Sequence, residues 1–74
     1  MFYILLAPGF EEMEALVPSD LLRRAGVEVM TVGVNGKIVY GSHKIGVEAD
    51  IELGEVDLTN LEMVILPGGL GGVA

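Results

Sequence analysis

The sequence predicts an α/β fold built on a parallel sheet, and three observations carry that prediction. Two short runs, Phe2 to Ala7 and Met63 to Leu66, are apolar without alternation, the pattern of strands covered on both faces. Between the first run and a β-branched segment lies a stretch of helical periodicity, which makes a strand, helix, strand unit. Apolar residues make up 51% of only 74 residues, with a mean hydropathy of +0.60, more than a small domain with a one-faced core requires.

The first strand is Phe2-Tyr3-Ile4-Leu5-Leu6-Ala7, closed by Pro8-Gly9. Glu11, Glu12 and Glu14 follow, acidic residues favoured by the exposed N–H groups and dipole of a helix start. The helix is expected to begin near Phe10 or Glu11 and to run to Ala25. Met13, Leu16, Val17, Leu21 and Ala25 recur at spacings of three and four, Arg23 and Arg24 fill the last turn, and Gly26 stands just beyond. Pro18 falls inside this stretch and predicts a kink or a restart.

Val27 to Val34, ending at the turn pair Asn35-Gly36, reads as a second strand. Ile38-Val39-Tyr40 and Ile45-Gly46-Val47 flank Gly41-Ser42-His43-Lys44 and predict a short hairpin or arm outside the main sheet. Asp50 to Asn60 reads as an acidic loop with one helical turn. Met63 to Leu66 is the third buried strand and feeds Pro67-Gly68-Gly69-Leu70-Gly71-Gly72. Three parallel strands and one helix leave a sheet face and an edge uncovered, so residues 1–74 are expected to be the N-terminal portion of a single α/β domain.

Composition excludes several classes of function. The longest apolar run is far short of the roughly 20 residues of a spanning helix, so no membrane partner is expected. The start has no basic region and breaks at Pro8-Gly9, so it is not read as a signal peptide and a cytoplasmic location is expected. Four Lys and Arg against eleven Asp and Glu give a net charge of −7, which argues against nucleic acid. There is no cysteine and one histidine, His43, so neither a disulfide, a metal site nor a cofactor is assigned.

In open α/β sheets ligands bind beyond the carboxyl ends of the strands. The loop after the first strand, Ala7 to Glu14, and the loop after the third, Leu66 to Leu70, would share that rim. Glu14 falls between Leu21 and Ala25 within the apolar arc of the helix, so a partly buried carboxylate with acid–base use is expected there. A solvated first-turn glutamate is the plain alternative, and for Glu11 and Glu12 the helix-terminus role is preferred. Gly69 to Ala74 matches G-x-G-x-x-A, a weak dinucleotide pattern. Alternatively Gly68 and Gly69 let a backbone N–H face a developing oxyanion, or the segment is simply a turn. His43 is read as a hairpin residue, and Ser42 beside it is expected to point the other way on extended chain, so no serine triad is assigned.

Three blocks, Ala7-Pro8-Gly9-Phe10-Glu11-Glu12-Met13-Glu14-Ala15, Asp20-Leu21-Leu22-Arg23-Arg24-Ala25-Gly26-Val27 and Val64-Ile65-Leu66-Pro67-Gly68-Gly69, resemble the ThiJ/PfpI family over the whole chain. This group includes the Parkinson-linked protein deglycase and is related to class I glutamine amidotransferase domains. The resemblance implies a flavodoxin-like three-layer sandwich, a homodimer, and a cysteine on a strained elbow. It further implies that Glu14 hydrogen-bonds this cysteine and that the Gly69 N–H faces the oxyanion. The function implied is that of a cysteine-dependent enzyme acting on reactive carbonyls, of glyoxalase or deglycase type, or of a sensor of redox stress. The small-molecule substrate would be an aldehyde. A non-enzymatic stress protein or chaperone on the same scaffold is the alternative, with a nucleotide-binding half-domain behind it.

The departures are specific. The nucleophilic cysteine is absent from this chain, which alone is expected to be inert and to need the remaining C-terminal half of the domain. His43 and Lys44 stand where some relatives carry an arginine and an acid. Asp20 and Arg24, four apart on the helix, are candidates for the dimer contact.

Overall fold

A computed structural model describes residues 1–68. The elements in order are β1 (Phe2–Leu6), α1 (Glu12–Arg24), β2 (Val29–Gly33), β3 (Ile38–Tyr40), β4 (Gly46–Glu48), β5 (Ile51–Glu52), 3-10 turns at Leu53–Glu55 and Leu58–Asn60, and β6 (Met63–Ile65). Strands β5, β2, β1 and β6 lie side by side in that order, all parallel. β3 and β4 form a separate antiparallel pair, the expected arm.

β1 is apolar throughout because it is central. It pairs β2 on one side, Phe2 opposite Val29 through Leu6 opposite Gly33, and β6 on the other, Phe2 opposite Met63 through Ile4 opposite Ile65. Alternation along the strand sends Phe2, Ile4 and Leu6 to one face and Tyr3 to the other. On the first face Ile4, Leu6, Phe10, Ala15, Val29, Val39 and Ala49 close into one cluster, ringed by Phe2, Leu22, Val47 and Ile65. On the second, the Tyr3 hydroxyl accepts the N–H of Asp57 at 3.1 Å, which ties the β5–β6 connection to the sheet.

Two expectations about the sheet need correction. Within the described residues it has a fourth strand, β5, where an unpatterned loop was expected. Val32 stands opposite Ile51 in a two-residue ladder, too short for any periodicity to register. The Asp50–Asn60 segment also holds two short 3-10 turns instead of one helical turn, the second capped by Asp57, whose carboxylate accepts from the Thr59 N–H at 3.0 Å.

The helix starts and stops where the residues indicate. Glu11 is its cap, its carboxylate accepting the N–H of Met13 at 3.2 Å. At the other end Val27 N–H reaches Leu22 C=O at 2.9 Å and Gly26 N–H reaches Arg23 C=O at 3.1 Å, the paired bonds of a Schellman ending, with Gly26 at φ +82°. α1 continues through Pro18 without a restart, although Pro18 has no N–H to offer the Glu14 carbonyl.

The buried stripe of α1 is not the one the large apolar residues suggest. Glu12, Ala15 and Ser19 face the sheet, with Leu22 packed against the core, a narrow line of mostly small side chains that lets the helix lie close. Met13, Leu16, Val17 and Leu21 are exposed on the outer side, beside an Asp20–Arg24 ion pair of 3.0 Å.

Candidate functional site

The carboxyl ends of β1 and β6 bring the two expected loops together. Glu11, the cap of α1, donates its N–H to the Gly68 carbonyl at 2.7 Å. Gly68 in turn donates its own N–H to Glu14 Oε1 at 2.9 Å. Gly68 is therefore held through both its N–H and its C=O by the start of the helix. A Cβ at position 68 would come within 2.8 Å of Glu14 Oε1, so a side chain there would push the carboxylate away from the loop.

Glu14 lies on this rim, as its spacing indicates, but it is exposed instead of partly buried, because the outer arc it shares with Leu21 faces away from the sheet. Its second oxygen, Oε2, makes no hydrogen bond among the described residues. Gly69, the other expected site residue, lies outside the described residues, as does the whole of the G-x-G-x-x-A pattern.

The buried acid of the site is Glu12, only 4% exposed. Its side chain passes under the arm and accepts four hydrogen bonds. Oε2 takes the N–H groups of His43 at 2.8 Å and Ile45 at 3.4 Å, while Oε1 takes the Ser42 hydroxyl at 3.3 Å and His43 Nδ1 at 2.9 Å. Since a carboxylate only accepts, the proton of that last bond sits on Nδ1. Further bonds run alongside, from Ser42 N–H to Phe10 C=O at 2.8 Å and from Gly9 N–H to Tyr40 C=O at 2.9 Å.

Burial by itself would raise the Glu12 carboxyl, yet the bonds from the His43 ring and from the backbone N–H groups of Glu12, His43 and Ile45 outweigh it, and its pKa is lowered to about 2. His43 moves the opposite way. Its hydrogen bond to Glu12 and the charges of Glu12 and then Glu11 raise it above its ordinary value, against a smaller effect of desolvation.

Ser42 and His43 do meet, with Oγ and Nδ1 3.2 Å apart, contrary to the expectation that they diverge. They sit in a turn that ends at Lys44, φ +62°, so strand alternation does not apply to them. Both converge on the same Glu12 oxygen, and the serine and the acid address the same ring nitrogen. A relay needs them on opposite nitrogens, so this is not a nucleophile with its base. The ligand atoms of Glu11, Glu12 and His43 lie within 4.8 Å of one another. With both Glu12 oxygens engaged, a cation there would have to displace the arm.

Glu12 was legible only as a helix-start charge. The signal that it is buried is its place three before Ala15 and seven before Ser19, on the stripe of small residues. A second network ties the far end of α1 down. Asp50 Oδ2 accepts from Thr31 N–H at 3.0 Å, from the Thr31 hydroxyl at 3.2 Å and from the Arg23 guanidinium. Burial opposes ionisation here too, but these donors hold Asp50 below its ordinary value.

Comparison with known proteins places this geometry among relatives. The sequence model of the DJ-1/PfpI family matches residues 2–73. The chain is 44% identical over 70 residues to protein dj-1beta of Drosophila melanogaster, a match covering 93% of this chain and 37% of the fly protein. It is 33% identical over 66 residues to a deglycase of Thermococcus kodakarensis, covering 89% of this chain and 40% of that protein. Among solved structures, a cysteine-to-alanine mutant of a DJ-1 superfamily protein from Salmonella typhimurium superposes with a TM-score of 0.88 at 42% identity, over 96% of this chain and 39% of that one. The fold class, an α/β sandwich of flavodoxin-like type seen in its N-terminal part, agrees with that superposition. The chain thus spans well under half the length of the relatives it matches.

Proposed function

Because this chain belongs to the DJ-1/PfpI family, we propose that it is the N-terminal portion of a cysteine-dependent enzyme acting on reactive carbonyls, in the manner of a glyoxalase or deglycase. The relative named as a deglycase supports that reaction class. The nucleophile would come from sequence outside this chain, which contains no cysteine. In the proposed step the thiolate attacks the carbonyl carbon of an aldehyde, a C–S bond forms, and the carbonyl π electrons move to oxygen. The backbone N–H of Gly69 would face that oxyanion. Glu14 would hold the loop through Oε1 and share a proton with the sulfur or the nascent hydroxyl through Oε2.

The observation that carries this reading is the bond from Gly68 N–H to Glu14 Oε1, which joins the helix carboxylate to the glycine loop. The outer face of α1, with Met13, Leu16, Val17 and Leu21 exposed beside the Asp20–Arg24 pair, is proposed as the surface that a second copy covers in a homodimer. Turnover of methylglyoxal by the full-length protein tests the catalytic reading. Glu14→Gln keeps the shape and removes the charge, and a fall in kcat of about 10²-fold or more is expected from loss of the proton-sharing group. Unchanged turnover would remove Glu14 from the mechanism.

A further inference from the structure

The turn that joins β2 to β3 carries the dipeptide Asn35-Gly36. Asn35 is exposed and its side chain makes no hydrogen bond among the described residues, while the Gly36 N–H, which closes the turn over residues 34 and 35, makes none of good geometry. Gly36 has no side chain to shield its nitrogen and sits at φ +126°, a region in which few other residues would hold the turn. A reactive amide carbon is thus followed by an unhindered and only loosely held backbone nitrogen.

We propose that Asn35 is a site of spontaneous covalent modification, at which the chain loses ammonia through a succinimide and takes up water. The Gly36 nitrogen gives up its proton to solvent and attacks Asn35 Cγ. The N–Cγ bond forms, the Cγ–Nδ2 bond breaks, and Nδ2 leaves with a proton as ammonia. Water then opens the ring. Attack at Cγ yields aspartate with the backbone unchanged, whereas attack at the backbone carbonyl yields isoaspartate, in which the main chain runs through the side chain and gains a methylene. Either product adds one negative charge to a chain already at −7.

The fold gives the isoaspartate a structural consequence. The turn lies so close on β2 that a methyl group at Gly33 would collide with the Gly36 carbonyl. On either side it is held by the Val34 N–H to Leu6 C=O bond of 3.0 Å and the Ala49 N–H to Lys37 C=O bond of 2.7 Å. An additional backbone atom between residues 35 and 36 cannot be absorbed while both bonds and that close approach are kept. Modification therefore loosens the junction between the sheet and the arm.

The chain contains its own control. Asn60 is the only other asparagine and there is no glutamine, so every side-chain amide lost comes from one of these two positions. Asn60 is followed by Leu61, whose N–H donates to Leu58 C=O at 3.4 Å and whose side chain crowds the approach. The two sites differ in the feature that the reaction requires.

Incubation of the purified chain at neutral to mildly alkaline pH, with peptide mapping, released ammonia and isoaspartate measured over time, tests the proposal. A short unstructured peptide around residues 35 and 36 runs in parallel to give the rate without the fold. The expected result is conversion at Asn35 at least an order of magnitude faster than at Asn60, within an order of magnitude of the peptide, and abolished in Asn35→Gln. Backbone amide exchange at Ala49 should rise as isoaspartate accumulates and stay unchanged in Asn35→Asp, which carries the charge without the added methylene. An Asn35 that stays intact in the chain while the peptide converts would overturn the proposal, as would equal loss at Asn60.

Discussion

Glu12 stays ionised inside the protein because four donors on the arm replace the water it loses. The sign of its pH linkage follows from its lowered pKa. Its ordinary value is 4.5 and its folded value about 2, so its contribution is complete above pH 4.5 and fades as pH falls toward 2. His43, raised above 6.5 when folded, contributes fully below pH 6.5, and that contribution is lost as pH rises through its raised value. The arm is accordingly held best between about pH 4.5 and 6.5. Amide protection at His43 and Ile45, corrected for intrinsic exchange, should be greatest in that window. Glu12→Gln should lower it severalfold and flatten its pH dependence, and unchanged protection in that variant would show that the arm is held by other means.

At the scale of elements, what could be read from the sequence and what could not divide along a physical line. β1, β2 and β6 were legible because each is an uncharged run of apolar and β-branched residues, although β6, expected to be buried, leaves Met63 and Val64 exposed at the edge of the described sheet; both ends of α1 were legible because Glu11, Arg23, Arg24 and Gly26 are chemically suited to helix termini. β5 was not, since two residues carry no period. The face of α1 was misassigned because large apolar residues dominate any hydrophobic pattern, while the contact with the sheet is made by Ala15 and Ser19, whose value lies in being small. The same bias gave Glu14 too much burial and Glu12 too little. Ala15 is fully buried and Leu16 is 42% exposed, which makes them a discriminating pair. Ala15→Leu forces the helix off the sheet and should destabilise the chain by about 1–3 kcal/mol. Leu16→Ala, measured at concentrations where the chain is monomeric, should change its stability by no more than about 0.5 kcal/mol. Denaturant unfolding of both variants checks this, and the reverse ranking would place the buried stripe where the large residues are.

At the scale of the whole molecule, apolar side chains of the described residues remain uncovered in several places, two of which lie on elements without a partner. Met13, Leu16, Val17 and Leu21 line the outside of α1, and Met63, Val64 and Leu66 lie at the β6 edge, where the described sheet ends. An open parallel edge beside exposed apolar residues invites further pairing. No helix among the described residues is long and apolar enough to cross a membrane, so these patches are not read as a spanning segment. Both are proposed as protein contacts, the α1 face with a second copy and the β6 edge with the rest of a DJ-1/PfpI domain. Sedimentation of the purified 74-residue chain, alongside its thermal unfolding, tests that assignment most directly. Self-association that strengthens with concentration, with a broad and weakly cooperative transition, is the predicted result, and a stable monomer that unfolds cooperatively would contradict it.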